Sequence, residues 1–319
     1  NMPQCLKEEI IEIRHGRHIF YRQVLLEQKQ QHHEGLSLND DVLDSSSIIH
    51  MVFVHGTCAS SAQFNSLLVA LEELLQTKLK DDQEKENDNV GTIKIRTVRM
   101  VCHLYDAISC GNSPFVKNWD AYHTEESIQD LHAILERRKI DTRTVPTILV
   151  GHSYAPTILI RYLSTFVTET KDMGVKGCIF LSSAMSGELN PIPNGGHPIF
   201  SLPVFVLRCL QPMLNKAFLK MAYHPNTSVR LIEEAQASNS QNNMYMAKAF
   251  HVHQQWAPKE ECAALHEIPV LVLHGNDDKV LPKEAGICLA DAVRAKEFVI
   301  VADASHQVMQ EKPNEVAKH

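Results

Sequence analysis

The sequence predicts an α/β fold built on a mostly parallel β-sheet. Three features of the 319-residue chain point to it. Apolar runs of strand length recur along the chain. Stretches with helical periodicity separate these apolar runs. Most of the apolar runs are continuous, as is typical of strands that helices cover on both faces. Regular alternation of strand and helix is the pattern of a parallel sheet with crossover helices.

The first two predicted strands form a hairpin. Residues 9–14 and 18–24 alternate between apolar and polar side chains around His15-Gly16-Arg17, a pattern typical of two antiparallel strands joined by a short turn. The other strands are predicted from apolar runs. They are expected at residues 48–54, 95–104, 147–150, 178–181, 270–274 and 298–301.

Helices are predicted between these strands. Their apolar residues recur with helical spacing at residues 64–79, 127–138 and 156–168. A polar stretch follows the hairpin at residues 27–46. The charged run at residues 80–89 has nothing to bury and is predicted to be a solvated loop.

The alternation of strand and helix is interrupted once. Between Gly187 and Glu267, prolines and helical patterns alternate without a predicted strand. A long segment without a strand inside a sheet order is typical of a functional insertion. We therefore expect a core in two parts, residues 1–186 and 268–319, with a helical cap formed by residues 187–267.

Composition and charge exclude several classes of protein. A formal net charge of −7 provides no basic surface for nucleic acid, so no nucleic-acid partner is expected. Neither a signal-peptide pattern nor an apolar run long enough to span a bilayer is evident, which favours a cytoplasmic protein. The eight cysteines lie far apart, in none of the close pairs of zinc or redox motifs. We expect free, mostly buried thiols and no metal site.

One predicted strand leads into a serine in a context that favours nucleophilic chemistry. Residues 147–150 are followed by Gly151-His152-Ser153-Tyr154-Ala155-Pro156 and then by a predicted helix. A sharp strand-to-helix turn lifts such a serine clear of the sheet and places it at the positive end of a helix. The crowded backbone of this turn requires small residues two positions away on either side, which Gly151 and Ala155 provide. Ser153 is therefore the candidate nucleophile.

A serine nucleophile requires two partners. Its hydroxyl is weakly reactive unless a histidine removes the proton, and a carboxylate must orient that histidine. On sheets with this type of turn, the acid and then the histidine follow the serine on loops after late strands. The loop after the 270–274 strand carries Asp277 and Asp278, and the last predicted strand is followed by Asp303 and His306. His306 is therefore the candidate general base.

The same chemistry requires donors for an oxyanion. The usual donors are the amide after the nucleophile and an amide from the loop that follows an early strand. Tyr154 occupies the first position. The loop after the 48–54 strand is expected to supply the second donor from Thr57, with Cys58 as the alternative.

Two further histidines lie beside these motifs. His55 precedes the loop with Thr57, and we expect it to order that loop through hydrogen bonds. His152 precedes the nucleophile, and we expect it to pack at the turn. Neither is predicted to transfer a proton.

Taken together, these motifs resemble those of the α/β-hydrolase superfamily, in its epoxide-hydrolase-like and lipase-like branch. The resemblance covers nearly the whole chain and rests on His55-Gly56, the turn at 106–113, the Ser153 turn, residues 275–282, and Ser305-His306 with Glu311 and Pro313. Residues 201–210 and Gln255-Trp256 more narrowly resemble the abhydrolase-domain proteins of animals. The resemblance implies an eight-stranded sheet under a helical cap, and hydrolysis of an ester, thioester or amide without a cofactor.

The family pattern also selects the acid. It places this residue third after Gly275, with a proline four residues further on, and Asp278 and Pro282 meet that spacing. Asp277 is expected to point to solvent, and Asp303 to lie too close in sequence to reach the ring of the histidine.

Three positions bear on how closely the chain follows the family. Ala155 replaces a glycine of the nucleophile turn, and Ser109 stands where the 106–113 turn usually has glycine. Some members transfer acyl groups with an aspartate five residues after the histidine. This chain has Glu311 at that position, so transferase chemistry is possible but unsupported by the sequence.

The expected function is therefore that of a serine hydrolase of the carboxylesterase or lipase type. Its substrate would be a small-molecule ester, a lipid or a thioester, cleaved through an acyl-enzyme intermediate. The alternative is a catalytically silent protein of the same fold whose cap binds a hydrophobic ligand or a protein partner. Apolar residues between Phe200 and Tyr223 are expected either to line an acyl pocket or to pack on the core. Membrane contact through the cap, beside Lys216 and Lys220, is a further alternative.

Overall fold

The computed structural model describes residues 2–27, 48–86, 99–167 and 174–319, with side chains up to residue 77 in the second range. Eight strands are present in these ranges: β1 (Gln4–Arg14), β2 (Arg17–Glu27), β3 (Ile48–Val54), β4 (Arg99–Asp106), β5 (Thr147–His152), β6 (Val175–Leu181), β7 (Val270–Gly275) and β8 (Glu297–Val301). The α-helices are α1 (Asn65–Glu86), α2 (Thr124–Arg137), α3 (Ala155–Phe166), α4 (Val204–Ala222), α5 (Val229–Ser240), α6 (Met244–His253), α7 (Lys283–Ala292), α8 (Val308–Glu311) and α9 (Pro313–Lys318).

The strands form one sheet in the order β1-β2-β4-β3-β5-β6-β7-β8. Strand β2 runs antiparallel to its neighbours β1 and β4, and the pairs from β4 to β8 are parallel. This arrangement confirms the predicted mostly parallel, eight-stranded sheet. It also places the carboxyl ends of β3, β5, β7 and β8 at one edge, where ligands bind in sheets of this type.

Helices cover both faces of the sheet because successive side chains of a strand point in opposite directions. In β3, the buried Val52 and Val54 belong to a cluster with α2, α3 and α7. The alternate residues Met51 and Phe53 belong to a second cluster with α1, α8 and α9. The continuous apolar runs of the sequence thus correspond to strands buried on both sides.

The prediction for the charged run at residues 80–89 is wrong over most of its length. Helix α1 continues to Glu86, because lysine, glutamate and glutamine are good helix formers even where they bury nothing. Residues 87–89 of this run lie outside the described residues. So do nearly all of the polar stretch at 27–46, the start of the strand predicted at 95–104, and residue 168 at the end of a predicted helix.

The chain between β6 and β7 contains helices and no strand, as expected from the interrupted pattern. Helices α4, α5 and α6 lie here. Leu207 of α4 packs with Met244 and Ala247 of α6, and Leu219 of α4 lies in a cluster with Leu231 and Ile232 of α5. The division of the chain into a core and a cap at residues 187–267 stays a prediction.

The cysteines are all unpaired, as predicted. Cys102, Cys110, Cys178 and Cys262 are buried, and the other four are at least partly exposed. Among the helices of the described ranges, none combines the length and apolarity needed to cross a bilayer.

Candidate active site

Ser153 lies on a strained turn between β5 and α3. Its φ angle is 58°, in the left-handed region that non-glycine residues rarely occupy. The Ser153 amide donates a hydrogen bond to the carbonyl of Leu181 at the end of β6 (2.9 Å). A Cβ on Gly151 would lie 2.9 Å from Leu159 Cδ1 and 3.0 Å from the nitrogen of Pro156. The turn therefore requires glycine at 151, whereas Ala155 is accommodated with its side chain fully buried.

The structure brings Ser153, His306 and Asp278 together in one chain of hydrogen bonds. His306 Nε2 lies 3.0 Å from Ser153 Oγ, and His306 Nδ1 lies 2.8 Å from Asp278 Oδ2. Because an ionised carboxylate only accepts hydrogen bonds, Nδ1 carries a proton and Nε2 is free to accept the serine proton. His306 and Asp278 are buried, while Ser153 is partly exposed.

Both oxygens of the Asp278 carboxylate are held in place. Oδ1 accepts hydrogen bonds from the amides of Val280 (2.8 Å) and Leu281 (2.9 Å). Oδ2 faces His306 and lies 3.3 Å from Nε2 of His274, the penultimate residue of β7. His274 also donates to the carbonyl of Leu281 (2.8 Å).

The surroundings of Asp278 keep it ionised. Burial acts to raise the pKa of this carboxyl, but its electrostatic attraction to the N–H side of the His306 ring and the hydrogen bonds from His274 and His306 outweigh burial. The pKa of Asp278 therefore lies well below its ordinary value. An anion at this position stabilises the imidazolium that forms when His306 takes up a proton.

The two other candidate acids lie elsewhere. The Asp277 side chain is 40% exposed and lies 3.8 Å from Nε2 of His224. Asp303 is exposed, with a φ angle of 50°. Of the three aspartates, Asp278 is thus the one that contacts His306.

Thr57 and Tyr154, the predicted oxyanion donors, are each adjacent in sequence to a residue of the nucleophile turn or of its packing surface. The glycine before Thr57 packs against the nucleophile turn, because a Cβ on Gly56 would lie 3.1 Å from Cβ of Ser153. The hydroxyl oxygen of Thr57 is buried without a partner. The Tyr154 hydroxyl is bonded to Thr124 Oγ1 (2.7 Å) and to both backbone groups of Gln255, which anchors the residue after the nucleophile.

His55 orders the loop in the way the sequence suggested. Its Nδ1 donates to the carbonyl of Gly56 (2.7 Å), and its Nε2 accepts the amide of Ala107 (2.8 Å). Burial lowers the pKa of His55, so the ring is neutral and both nitrogens are engaged. The loop of Thr57 is therefore fixed to the turn after β4.

Two histidines have roles that sequence reasoning missed. His152 was expected only to pack, but its Nε2 donates to the backbone carbonyl of His306 (3.0 Å), and burial lowers the pKa of its ring to about 3. His274 was assigned only to a strand, yet it contacts the carboxylate of Asp278. The sequence signal that could have identified them was their position, because His152 is the last residue of β5 and His274 the penultimate residue of β7, and a loop of the site follows each strand.

The loop that carries His306 is bonded to the end of α4. Glu311 Oε2 accepts the amide of Ser305 (2.8 Å). Glu311 Oε1 accepts the amide of His224 (2.7 Å) and the hydroxyl of Thr227 (2.6 Å). The hydroxyl of Ser305 donates to the carbonyl of Met221 in the last turn of α4 (2.8 Å). Glu311 is thus a structural residue of this loop.

A small cavity lies next to the predicted oxyanion loop. Its volume is about 40 Å³, and Gly56, Thr57, Tyr154 and Phe250 of α6 are among the residues that line it, whereas Ser153 and His306 are not. The expectation that residues between Phe200 and Tyr223 line an acyl pocket is wrong for three of them, because Phe205, Met213 and Met221 lie 70%, 59% and 41% exposed at the surface. They occupy the outer face of α4 because its inner face is already filled by Leu207 and Leu219.

One group of side chains in the described residues comes close enough together to hold a metal ion. Single ligand atoms of Asp120, His123 and His253 lie within 4.8 Å of one another. The two imidazole rings are tilted by 42° with centroids 3.7 Å apart, and the side chain of Asp120 is 84% exposed. The group would have to rearrange to surround an ion, and it shares no residue with the serine site.

Comparison with known proteins identifies relatives of this arrangement. The sequence pattern of the "Alpha/beta hydrolase family" matches residues 51–319. The human protein ABHD8 is 29% identical over 210 residues, which cover 61% of this chain and 42% of that protein. The bovine protein ABHD8 is 28% identical over 210 residues, covering 61% of this chain and 43% of its own length. The chain thus spans less than half the length of these curated relatives.

Solved structures share the fold. A bromoperoxidase from Bacillus anthracis superposes with a TM-score of 0.67 at 15% sequence identity, covering 98% of this chain and 97% of that one. The esterase RhEst1 from Rhodococcus sp. ECU1013 gives a TM-score of 0.66 at 18% identity, covering 98% and 96%. At these identities the likeness concerns the fold alone.

Proposed function

This chain belongs to the alpha/beta hydrolase family, and we propose that it is a serine hydrolase that cleaves carboxylic esters through an acyl-enzyme intermediate. The observation that carries the proposal is the unbroken chain of hydrogen bonds from Ser153 Oγ through His306 to Asp278. Nucleophile, base and orienting acid are already within the 2.6–3.2 Å reach that proton transfer requires. The family includes members of many activities, so this geometry, rather than the fold, supports the choice.

The first half of the reaction acylates the serine. His306 Nε2 accepts the proton of Ser153 Oγ as that oxygen attacks the ester carbonyl carbon, which forms a tetrahedral oxyanion. The backbone amides of Tyr154 and Thr57 would donate to this oxyanion. The intermediate collapses when the bond to the alkoxy oxygen breaks, and the leaving alcohol takes the proton from His306.

The second half releases the acid. A water molecule gives a proton to His306 Nε2 and attacks the acyl carbon, and Ser153 Oγ leaves with the proton that His306 returns. The sum is ester plus water giving carboxylic acid plus alcohol. In both halves, Asp278 accepts the Nδ1–H of His306 and stabilises the positive charge that forms on the imidazole ring. His274 and the two amides on Oδ1 keep the carboxylate in its orientation.

The alternatives raised by the sequence receive less support. Glu311 stands where some acyl-transferring relatives have an aspartate, but its carboxylate is engaged by Ser305, His224 and Thr227, so it supplies no acyl acceptor site. A catalytically silent binding protein would not require His306 to lie between Ser153 and Asp278 with both ring nitrogens engaged. Activity-based labelling separates this alternative from the hydrolase.

A fluorophosphonate probe tests the proposal directly, because an activated serine attacks it rapidly and an ordinary serine does not. The native protein and Ser164→Ala, which changes a solvent-exposed serine of α3, should be labelled at the same rate. Ser153→Ala should not be labelled. Equal labelling of Ser153→Ala and native protein, or none of either, would sink the assignment.

A further inference from the structure

The outer face of α4 exposes an unusual number of apolar side chains. Phe205 and Met213, eight residues apart on the helix, are 70% and 59% exposed, and Met221 is 41% exposed. Cys209, between the first two, is also exposed. Residues four apart lie on the same side of a helix, so Phe205, Cys209 and Met213 form one apolar stripe over the first half of α4.

The same face carries positive charge and no negative charge. Helix α4 contains Arg208, Lys216 and Lys220, all exposed, and its 19 residues include neither aspartate nor glutamate. This concentration of cations contrasts with the net charge of −7 on the whole chain. We call these three cations together with Phe205, Cys209, Met213 and Met221 the α4 surface.

A groove runs between α4 and the neighbouring α5. Its volume is about 520 Å³. The residues that line it offer cations, amides and hydroxyl groups but no carboxylate: Arg208, Gln211, Pro212, Asn215, Lys216, Gln236 and Ser240. Helix α5 carries two exposed glutamates that do not line the groove, Glu233 and Glu234, and Glu234 is paired with Arg230 of the same helix (2.8 Å). The groove therefore suits an anionic group that accepts several hydrogen bonds.

We propose that the α4 surface and this groove dock the protein on bilayers that contain anionic phospholipids. The headgroup phosphate would occupy the groove beside Arg208 and Lys216, and Phe205 and Met213 would enter the boundary between headgroups and acyl chains. Helices that lie on membranes combine an apolar face with cations in this way, and long lysine side chains reach the headgroups from an apolar surface. An anionic bilayer matches both features, because it presents phosphates next to an apolar layer.

Vesicle flotation with purified protein tests the proposal. The native protein should float with vesicles of phosphatidylcholine and phosphatidylserine in a 7:3 ratio, and much less with phosphatidylcholine alone. Each cation near an anionic surface contributes about a fivefold factor in binding, so Lys216→Glu/Lys220→Glu should bind at least about 25-fold more weakly. Phe205→Ser/Met213→Ser should also lose binding, because its apolar contact with the bilayer is gone.

Matched variants provide the controls. Ile287→Ser removes a side chain that is 41% exposed on α7, and Lys259→Glu/Lys296→Glu reverses two exposed lysines away from α4. Both should bind vesicles like the native protein, and so should Ser153→Ala, since docking is independent of the proposed hydrolysis. All variants should keep the native melting temperature within a few degrees, because they change surface residues.

Several results would overturn the proposal. Equal binding to both vesicle compositions, or an equal loss in the matched controls, would remove the basis for a specific surface. A loss in the lysine variant with Phe205→Ser/Met213→Ser unchanged, together with release from vesicles by millimolar inorganic phosphate, would mean that the groove binds a soluble anion. Self-association through α4 in the absence of lipid, abolished by the serine variant, would assign the stripe to a second copy of the chain.

Discussion

Asp278→Asn isolates the contribution of the orienting acid, because the surroundings of this side chain determine how an asparagine would sit. Oδ1 accepts two backbone amides, from Val280 (2.8 Å) and Leu281 (2.9 Å). An asparagine must place its carbonyl oxygen there, since its NH₂ group would oppose two N–H donors. The NH₂ group is then forced into the position of Oδ2, facing His306.

This orientation changes the tautomer of the histidine. An NH₂ group at the position of Oδ2 can only donate to Nδ1 of His306, so Nδ1 must become the acceptor and the ring proton moves to Nε2. Nε2 is the nitrogen that lies 3.0 Å from Ser153 Oγ. A protonated Nε2 cannot accept the serine proton, and the nucleophile loses its base while the geometry stays intact.

The expected loss is about 10⁴-fold in kcat, the size found when the acid of a serine triad is changed to its amide. This corresponds to about 5.4 kcal/mol of transition-state stabilisation. The free energy of unfolding should change by less than this amount, because the amides of Val280 and Leu281 keep an oxygen acceptor in the asparagine side chain. Steady-state hydrolysis of a p-nitrophenyl ester measures kcat, and the rate of fluorophosphonate labelling gives an independent measure of serine reactivity.

Asp277→Asn and Asp303→Asn are the matched controls, since both change an aspartate that does not contact His306 to the same amide. Each should stay within about tenfold of the native kcat, as expected for substitutions outside the triad. The reasoning is refuted if Asp278→Asn keeps more than a tenth of the native kcat, or if Asp277→Asn is the more severe variant.

Three further predictions concern the loop, the cavity and pH. Glu311→Ala should lower kcat by 10- to 100-fold and the free energy of unfolding by about 2 kcal/mol, because the His306 loop loses charge-assisted hydrogen bonds. Ester hydrolysis and urea unfolding measure the two effects. The control variant Glu315→Ala should change neither quantity. The cavity next to the predicted oxyanion loop has a volume of about 40 Å³, which holds about three water-sized groups and is too small for a medium-length acyl chain. p-Nitrophenyl acetate should therefore have a higher kcat/KM than the octanoate in steady-state hydrolysis, and the opposite order would contradict this prediction. The pKa of Asp278 is lower in the folded protein than in the unfolded chain, so its contribution to stability is complete above about pH 4 and declines as pH falls through the folded pKa. The stability difference between native protein and Asp278→Asn, from urea unfolding at pH 6 and pH 3, should therefore shrink at the lower pH.

The sequence predicted the sheet and the positions of the candidate site residues because both depend on short-range patterns. Continuous apolar runs mark strands covered on both faces, and β3 was predicted with its observed bounds. The serine turn, the acid loop and the histidine loop each follow a strand directly, so an error of one or two residues in a strand end does not displace them. The pairing of Asp278 with His306, 28 residues apart, needed the family spacing as well.

Helix ends and the locations of the apolar residues between β6 and β7 were harder to predict. The end of α1 was placed too early because the same charged composition is compatible with a helix and with a loop. For Phe205 and Met213, an apolar side chain in a sequence does not reveal whether it faces a pocket, a packed interface or the surface. That distinction depends on which face of α4 Leu207 and Leu219 fill, and only the tertiary arrangement determines it.

The contacts that the sequence could not reveal connect the helices between β6 and β7 to the candidate site. Glu311 and His224 are 87 residues apart, and neither lies in a periodic pattern. Their bond, with that of Ser305 to Met221, joins the last turn of α4 to the loop of His306. A shift of the last turn of α4 would therefore have to strain or break two hydrogen-bonded contacts of that loop. If docking changes the affinity for substrate by some factor, bound substrate must change the affinity of the protein for the bilayer by the same factor, because thermodynamic linkage is reciprocal.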